Sequence, residues 1–158
     1  MNVEQVMTTD VMTCRPGDNL NSAARIMWEH DCGCVPVVDD NERVVGMITD
    51  RDICMAAYTQ GRPLQALGVA GAMSRSVCCC KPADRLETAE ELMRTHQVRR
   101  LPVMDDQGRL VGILSLGDLA RQAKPGGARK GKSAVGVADI GQVLNTISQP
   151  HPAKASAA

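Results

Sequence analysis

Apolar residues recur along this chain in two spacings, and the two spacings alternate in the same order twice. Leu20, Ala23, Ala24 and Met27 stand three or four apart, which lines one face of a helix, and Leu86, Ala89 and Met93 repeat the pattern. Amphipathic helices are therefore predicted over roughly 19–30 and 85–96, with Asp18 or Asp84 expected as the N-cap after Pro16 or Pro82. Each helix is followed by a short apolar run (Val35 to Val38; Leu101 to Met104), a turn-forming cluster (Asp39 to Glu42; Asp105 to Gly108) and a second apolar run (Val44 to Ile48; Leu110 to Leu114). That order predicts a β-hairpin. A second helix is expected from near Thr49 or Ser115, and a short strand near 11–14 or 77–80, so each unit reads β-α-β-β-α.

The two units are copies of one another. A shift of 66 residues lays Met7 on Met73, Pro16 on Pro82, Leu20 on Leu86, Pro36 on Pro102, Arg43 on Arg109 and Asp52 on Asp118 without a gap, and 17 of the 47 positions from 7 to 53 are identical. Identity at that level is far above chance and marks an internal repeat. Neither unit can bury both faces of its small sheet alone. The expected fold is α/β (α+β): the two repeats pack sheet to sheet in a disc with a pseudo-two-fold axis and two equivalent clefts between the halves. Residues 1–66 form the first repeat and 67–123 the second. Residues 124–132 read as a flexible basic linker. Val137, Ile140, Val143, Leu144 and Ile147 predict a short C-terminal helix within 133–149, stopped by Pro150, and 150–158 read as a disordered tail.

Eighteen basic and eighteen acidic residues cancel, although the chain from Lys124 onward carries a net charge of +4 and residues 1–123 about −4. Nothing in that balance calls for nucleic acid or an anionic membrane. No apolar run approaches the roughly 18 to 20 residues that cross a bilayer, and the N-terminus lacks a signal core, so a cytoplasmic protein is expected. The seven cysteines are then expected as thiols. With no Phe, one Trp and one Tyr, a planar ligand would lie against aliphatic side chains and backbone.

The segments richest in chemistry are Gly46-Met47-Ile48-Thr49-Asp50-Arg51-Asp52 and Gly112-Ile113-Leu114-Ser115-Leu116-Gly117-Asp118. Each has a Gly that admits a backbone or a ligand, a hydroxyl residue at a helix start, and an Asp three residues on whose carboxylate can accept from the vicinal hydroxyls of a ribose. A capping box that needs no ligand accounts for the same residues. With Met-Thr or Met-Ser near the start, Pro-x-Asp-x-Leu, Val- or Leu-Pro-Val and paired acidic residues, each copy resembles the CBS motif. The chain over about 3–123 resembles a tandem CBS-domain (Bateman) protein of the stand-alone two-repeat type. That resemblance implies an adenosyl ligand, with Thr49 and Asp52 serving one site and Ser115 and Asp118 the other. It also implies that the adenine slots against the segments before the prolines, Cys32-Gly33-Cys34-Val35 ahead of Pro36 and Val98-Arg99-Arg100-Leu101 ahead of Pro102.

Arg99 and Arg100, with Arg51 as a third cation, could pair with phosphates bidentately, so the second-copy segment is the favoured site for a phosphorylated ligand. A solvated or dimer-facing patch is the alternative for those arginines. AMP, ADP, ATP, S-adenosylmethionine and NAD are all candidates, and no cofactor is required. Cys32 and Cys34, joined by Cys14 or Cys80, could hold a metal or respond to oxidation, but their spacing is unlike structural zinc. His30 and His96 fall at helix ends, where capping of the last carbonyls is expected. Trp28, off the apolar face, marks a contact surface, and such pairs dimerise. The expected function is a non-enzymatic regulatory sensor, a homodimer that signals by conformational or oligomeric change to an unknown effector protein. The alternative is a redox- or metal-responsive interaction protein.

Overall fold

The structure is a computed structural model that describes residues 1–123 and 136–149; the linker and tail expected at 124–132 and 150–158 lie outside the described residues. Each repeat contains a first helix (α1, Leu20–Glu29; α4, Leu86–His96), a hairpin (β1, Cys34–Val38 with β2, Val44–Thr49; β3, Arg100–Met104 with β4, Leu110–Ser115) and a second helix (α2, Asp50–Gln60; α5, Leu116–Gln122). A four-residue helix, α3 (Val69–Ala72), joins the repeats, and α6 (Val137–Ile147) follows the second. The fold is the expected α+β pair of repeats with a C-terminal helix.

The hairpins form because their apolar runs have little else to do than pair and bury. Val35 meets Ile48 across the first ladder and Leu101 meets Leu114 across the second, and all four are fully buried. Fully burying a side chain of this size contributes about 2 kcal/mol. Both hairpins carry a register shift at the same place, Val37/Val38 and Val103/Met104. The turns are closed by Asp39 and Asp105, whose Oδ1 atoms accept from the backbone N–H groups of Asn41 and Arg43, or Gln107 and Arg109, all at 2.9 Å. Equivalent turn residues Glu42 and Gly108 both have positive φ, +60° and +78°. Gly adopts that region freely and Glu does so at a cost of about 1 kcal/mol.

Two local expectations are corrected. The helix N-caps fall one residue later than Asp18 and Asp84: Asn19 accepts from the Ser22 N–H, and Arg85 stands at the second start without a side-chain cap. Asp18 and Asp84 instead accept from the backbone N–H groups of Arg15 and Lys81 at 2.7 and 2.8 Å, closing the turn ahead of each helix. The strands expected near 11–14 and 77–80 reduce to single bridged residues, Cys14 beside Val37 and Cys80 beside Val103.

The halves are laced together by backbone. Thr8 bridges Ile113 and Ser74 bridges Met47, while the hairpin turns meet at Arg43 and Arg109. Each repeat thereby lends its leading segment to the other. Val3 belongs to the core of Leu86, Met93, Leu101 and Leu114, and Leu67, Val69 and Met73 belong to the core of Leu20, Val35 and Ile48. α6 lies against α4 and α5 and adds Val143 and Ile147 to the second core. No described helix is long and apolar enough to cross a membrane.

Candidate functional site

The lacing leaves two clefts, each built from both repeats. The first, of about 560 Å³, takes Thr49, Asp50, Arg51 and Asp52 from one repeat and Ser74, Ser76, Cys78 and the segment His96 to Arg100 from the other. The second, of about 390 Å³, takes Ser115, Asp118 and Arg121 from one repeat and Thr8, Asp10, Met12 and the segment His30 to Cys34 from the other. A shift of 66 turns most of one lining into the other, so the clefts are the pseudo-symmetric pair that the repeat predicts.

The two glycines of the motif are fixed by the lacing strands. A Cβ on Gly112 would stand 3.0 Å from the Thr8 carbonyl oxygen and 2.7 Å from Met7 Sδ, and one on Gly46 would meet Ser74 O and Met73 Sδ at the same distances. It is a backbone, then, that the missing side chain admits. The hydroxyl and carboxylate residues form reciprocal capping boxes. Thr49 donates to Asp52 Oδ2 from its N–H (2.9 Å) and its hydroxyl (2.7 Å), and its oxygen accepts from the Asp52 N–H. Ser115 treats Asp118 Oδ2 in the same way at 2.7 and 2.6 Å. Each box uses one carboxylate oxygen of its Asp and leaves the other for a further donor.

The second oxygens differ. Asp118 is buried, at 4% exposure, and its Oδ1 accepts from the Arg121 guanidinium. Asp52 Oδ1 has no partner among the described residues. The position equivalent to Arg121 is Met55, which cannot donate.

Charge separates the clefts further. Arg51, Arg99 and Arg100 all line the Asp52 cleft, are exposed, and make no ion pair with any described residue. Three guanidiniums there face the carboxylates of Asp50 and Asp52, whereas in the other cleft Arg100 and Arg121 face Asp10, Asp31 and Asp118. Arg100, with Gly33 and Cys34, lines both.

Of the residues before and at the prolines, Pro102 lines a cleft, while Val35 and Leu101 are fully buried in the two cores and Pro36 is buried with them. The walls come from the residues just ahead, Cys32 to Cys34 and Val98 to Arg100. Within the strands, alternation turns Cys34 and Arg100 to the clefts and Val35 and Leu101 into the cores, while Cys32, Gly33, Val98 and Arg99 lie just ahead of the strands.

The grouping of Cys14 with Cys32 and Cys34 as metal ligands does not form. Cys14 is packed in the first core, and among the described residues no three His, Cys, Asp or Glu side chains are placed to hold a metal. Burial, with Asp18 adding to it, pushes the Cys14 thiol up to about 12. Burial does the same for Cys80, to about 12, and carries Cys34 to about 11 although the Arg100 guanidinium pulls it back. His30 and His96 make no ring hydrogen bond to a helix carbonyl among the described residues and instead line the clefts. Trp28 is 89% exposed.

Sequence reasoning missed Arg121 and the lacing residues Thr8, Asp10, Ser74 and Ser76. The spacing Asp118 to Arg121, one turn of helix, carried the first signal. The second had none that was local, because the lacing follows from how the repeats pack.

The family model described as "CBS domain" matches residues 3–58 and 69–124. The CBS domain-containing protein YhcV of Bacillus subtilis is 44% identical over 118 residues, covering 75% of this chain and 82% of that one. Among solved structures, Hypoxic Response Protein I with two coordinated zinc ions superposes with a TM-score of 0.71 at 30% identity, over 78% of this chain and all of that one. CBSX2 in complex with AMP superposes with a TM-score of 0.66 at 28% identity, over 76% of this chain and 93% of that one.

Proposed function

The chain belongs to the CBS-domain family, and from that premise we propose that it is a cytoplasmic regulatory sensor that binds an adenine nucleotide or related adenosyl ligand between its repeats. Binding changes the angle between the halves or the packing of a homodimer, and an effector protein reads the change; the chain itself catalyses nothing. The observation that carries this reading is the Asp52 cleft. A carboxylate with one uncommitted oxygen is the acceptor a ribose diol needs, and Arg51, Arg99 and Arg100 are three uncommitted donors for phosphate. Thr49 positions the carboxylate through the capping box, and Pro102, Val98 and Met47 offer the adenine an aliphatic wall. The AMP complex of CBSX2 supports a purine nucleotide as the ligand class, within the set AMP, ADP, ATP, NAD and S-adenosylmethionine.

Thermal unfolding of the wild type and of Asp52→Ala/Asp118→Ala against those five compounds and zinc tests the reading. One adenosyl compound should raise the melting temperature of the wild type and leave the double variant unmoved. A response to zinc alone would favour the cysteines instead and overturn the nucleotide reading.

A further inference from the structure

We propose that the two clefts are functionally unequal, and that the chain takes one phosphorylated nucleotide, in the Asp52 cleft, because Arg121 occupies the carboxylate that the other cleft would offer. The inference rests on the nucleotide reading above and adds to it a stoichiometry and the residue that sets it.

Three observations carry it independently. Among the described residues, Asp118 has both oxygens engaged, Oδ2 by the Ser115 N–H and hydroxyl and Oδ1 by Arg121, whereas Asp52 has only Oδ2 engaged. The Asp118 cleft lines three carboxylates against two guanidiniums and the Asp52 cleft reverses that balance, so a phosphate is repelled from one and drawn to the other. Arg100 lines both clefts and can close on only one phosphate at a time.

For a diol to reach Asp118, Arg121 must give up a charge-assisted hydrogen bond whose acceptor is buried. Losing it weakens binding there by about ten- to a hundredfold. Arg121 itself is largely exposed, its side chain 70% accessible, so it can be replaced without disturbing a core. The first repeat supplies the natural substitute, Met55.

Isothermal titration of the wild type, Arg121→Met and Asp52→Ala with ADP and with uncharged adenosine tests the proposal. The wild type should bind one ADP and one adenosine per chain. Arg121→Met frees the Asp118 carboxylate but leaves three carboxylates against one guanidinium, so it should bind two adenosines and still one ADP. Asp52→Ala should lose the wild-type site. Arg121→Met retaining the first site also reports that the variant is folded. Two ADP sites in the wild type, one adenosine site in Arg121→Met, or a wild-type site that survives Asp52→Ala would each overturn the inference while leaving nucleotide binding intact. No ADP binding by the wild type would overturn the nucleotide reading and this inference with it.

Discussion

Replacing Asp52 by alanine removes two things at once, and their sizes can be separated. The capping acceptor for Thr49 (2.7 and 2.9 Å) contributes about 1 kcal/mol to stability, so the unliganded melting temperature should fall by about 2–4 °C in a chain of this length. The uncommitted oxygen makes no contribution until a ligand arrives. Two hydroxyl hydrogen bonds to a carboxylate are worth about 3 kcal/mol, or roughly a hundredfold in affinity. ADP at about 100 times its wild-type dissociation constant adds about 2.7 kcal/mol and raises the wild-type midpoint by about 5–11 °C. At that same concentration the variant sits near its own dissociation constant, gains about 0.4 kcal/mol and moves by about 1 °C. Asp118→Ala loses its cap and its Arg121 partner, so its unliganded midpoint falls at least as far, yet its ADP shift stays near that of the wild type. Scanning fluorimetry of the three proteins with and without ADP gives both numbers. A full ADP shift in Asp52→Ala, or loss of the shift in Asp118→Ala instead, would mean that Asp52 does not hold the ribose.

Other expectations follow from the packing. Gly112→Ala places a methyl group 3.0 Å from the Thr8 carbonyl oxygen, and the lacing strand must move, at a cost of about 1–3 kcal/mol seen as a lower midpoint in chemical denaturation; an unchanged midpoint would show that the strand yields freely. Ile147→Ala should cost about 2 kcal/mol if α6 seats its 5%-exposed side chain in the second core, and a loss near zero would mean that the helix is not docked. Exposed Cys54 should react with iodoacetamide within minutes at neutral pH, while Cys14 and Cys80 stay protected in the same mass-spectrometric time course. Those two thiols and Cys34 remain neutral in the folded chain where the unfolded chain ionises above about 9. Their contribution to stability is complete below that pH and is lost as the pH rises through 11 to 12, which alkaline unfolding curves of Cys14→Ala and Cys80→Ala should report as a weaker dependence.

Much of the fold was legible because it is written twice. The helical spacing of Leu20, Ala23 and Met27, and the hairpin runs around Asp39 and Asp105, are local patterns, and their repetition in register fixed the architecture. The capping boxes of Thr49 and Ser115 were legible for the same reason. What was missed is non-local. Asp18 and Asp84 were expected as caps because they precede apolar periodicity, but the Pro16 and Pro82 turns claim their carboxylates first. The lacing of Thr8 across Ile113 and Ser74 across Met47 depends on which half each leading segment packs against, and that choice has no short-range signature. For the same reason the glycines of the motif could be read as making room without showing that the Thr8 and Ser74 strands fill it. Arg121 was passed over because its repeat equivalent is Met55, and attention to what the copies share hides what only one of them carries.

If Asp52 and the three arginines form one nucleotide site, a crystal structure of the chain grown with ADP shows it at the atoms concerned. A ribose diol should then lie at hydrogen-bond distance from Asp52 Oδ1, with phosphates within reach of Arg51, Arg99 and Arg100 and Arg121 still on Asp118. A nucleotide bound only beside Asp118, or bound outside both clefts, would contradict that site.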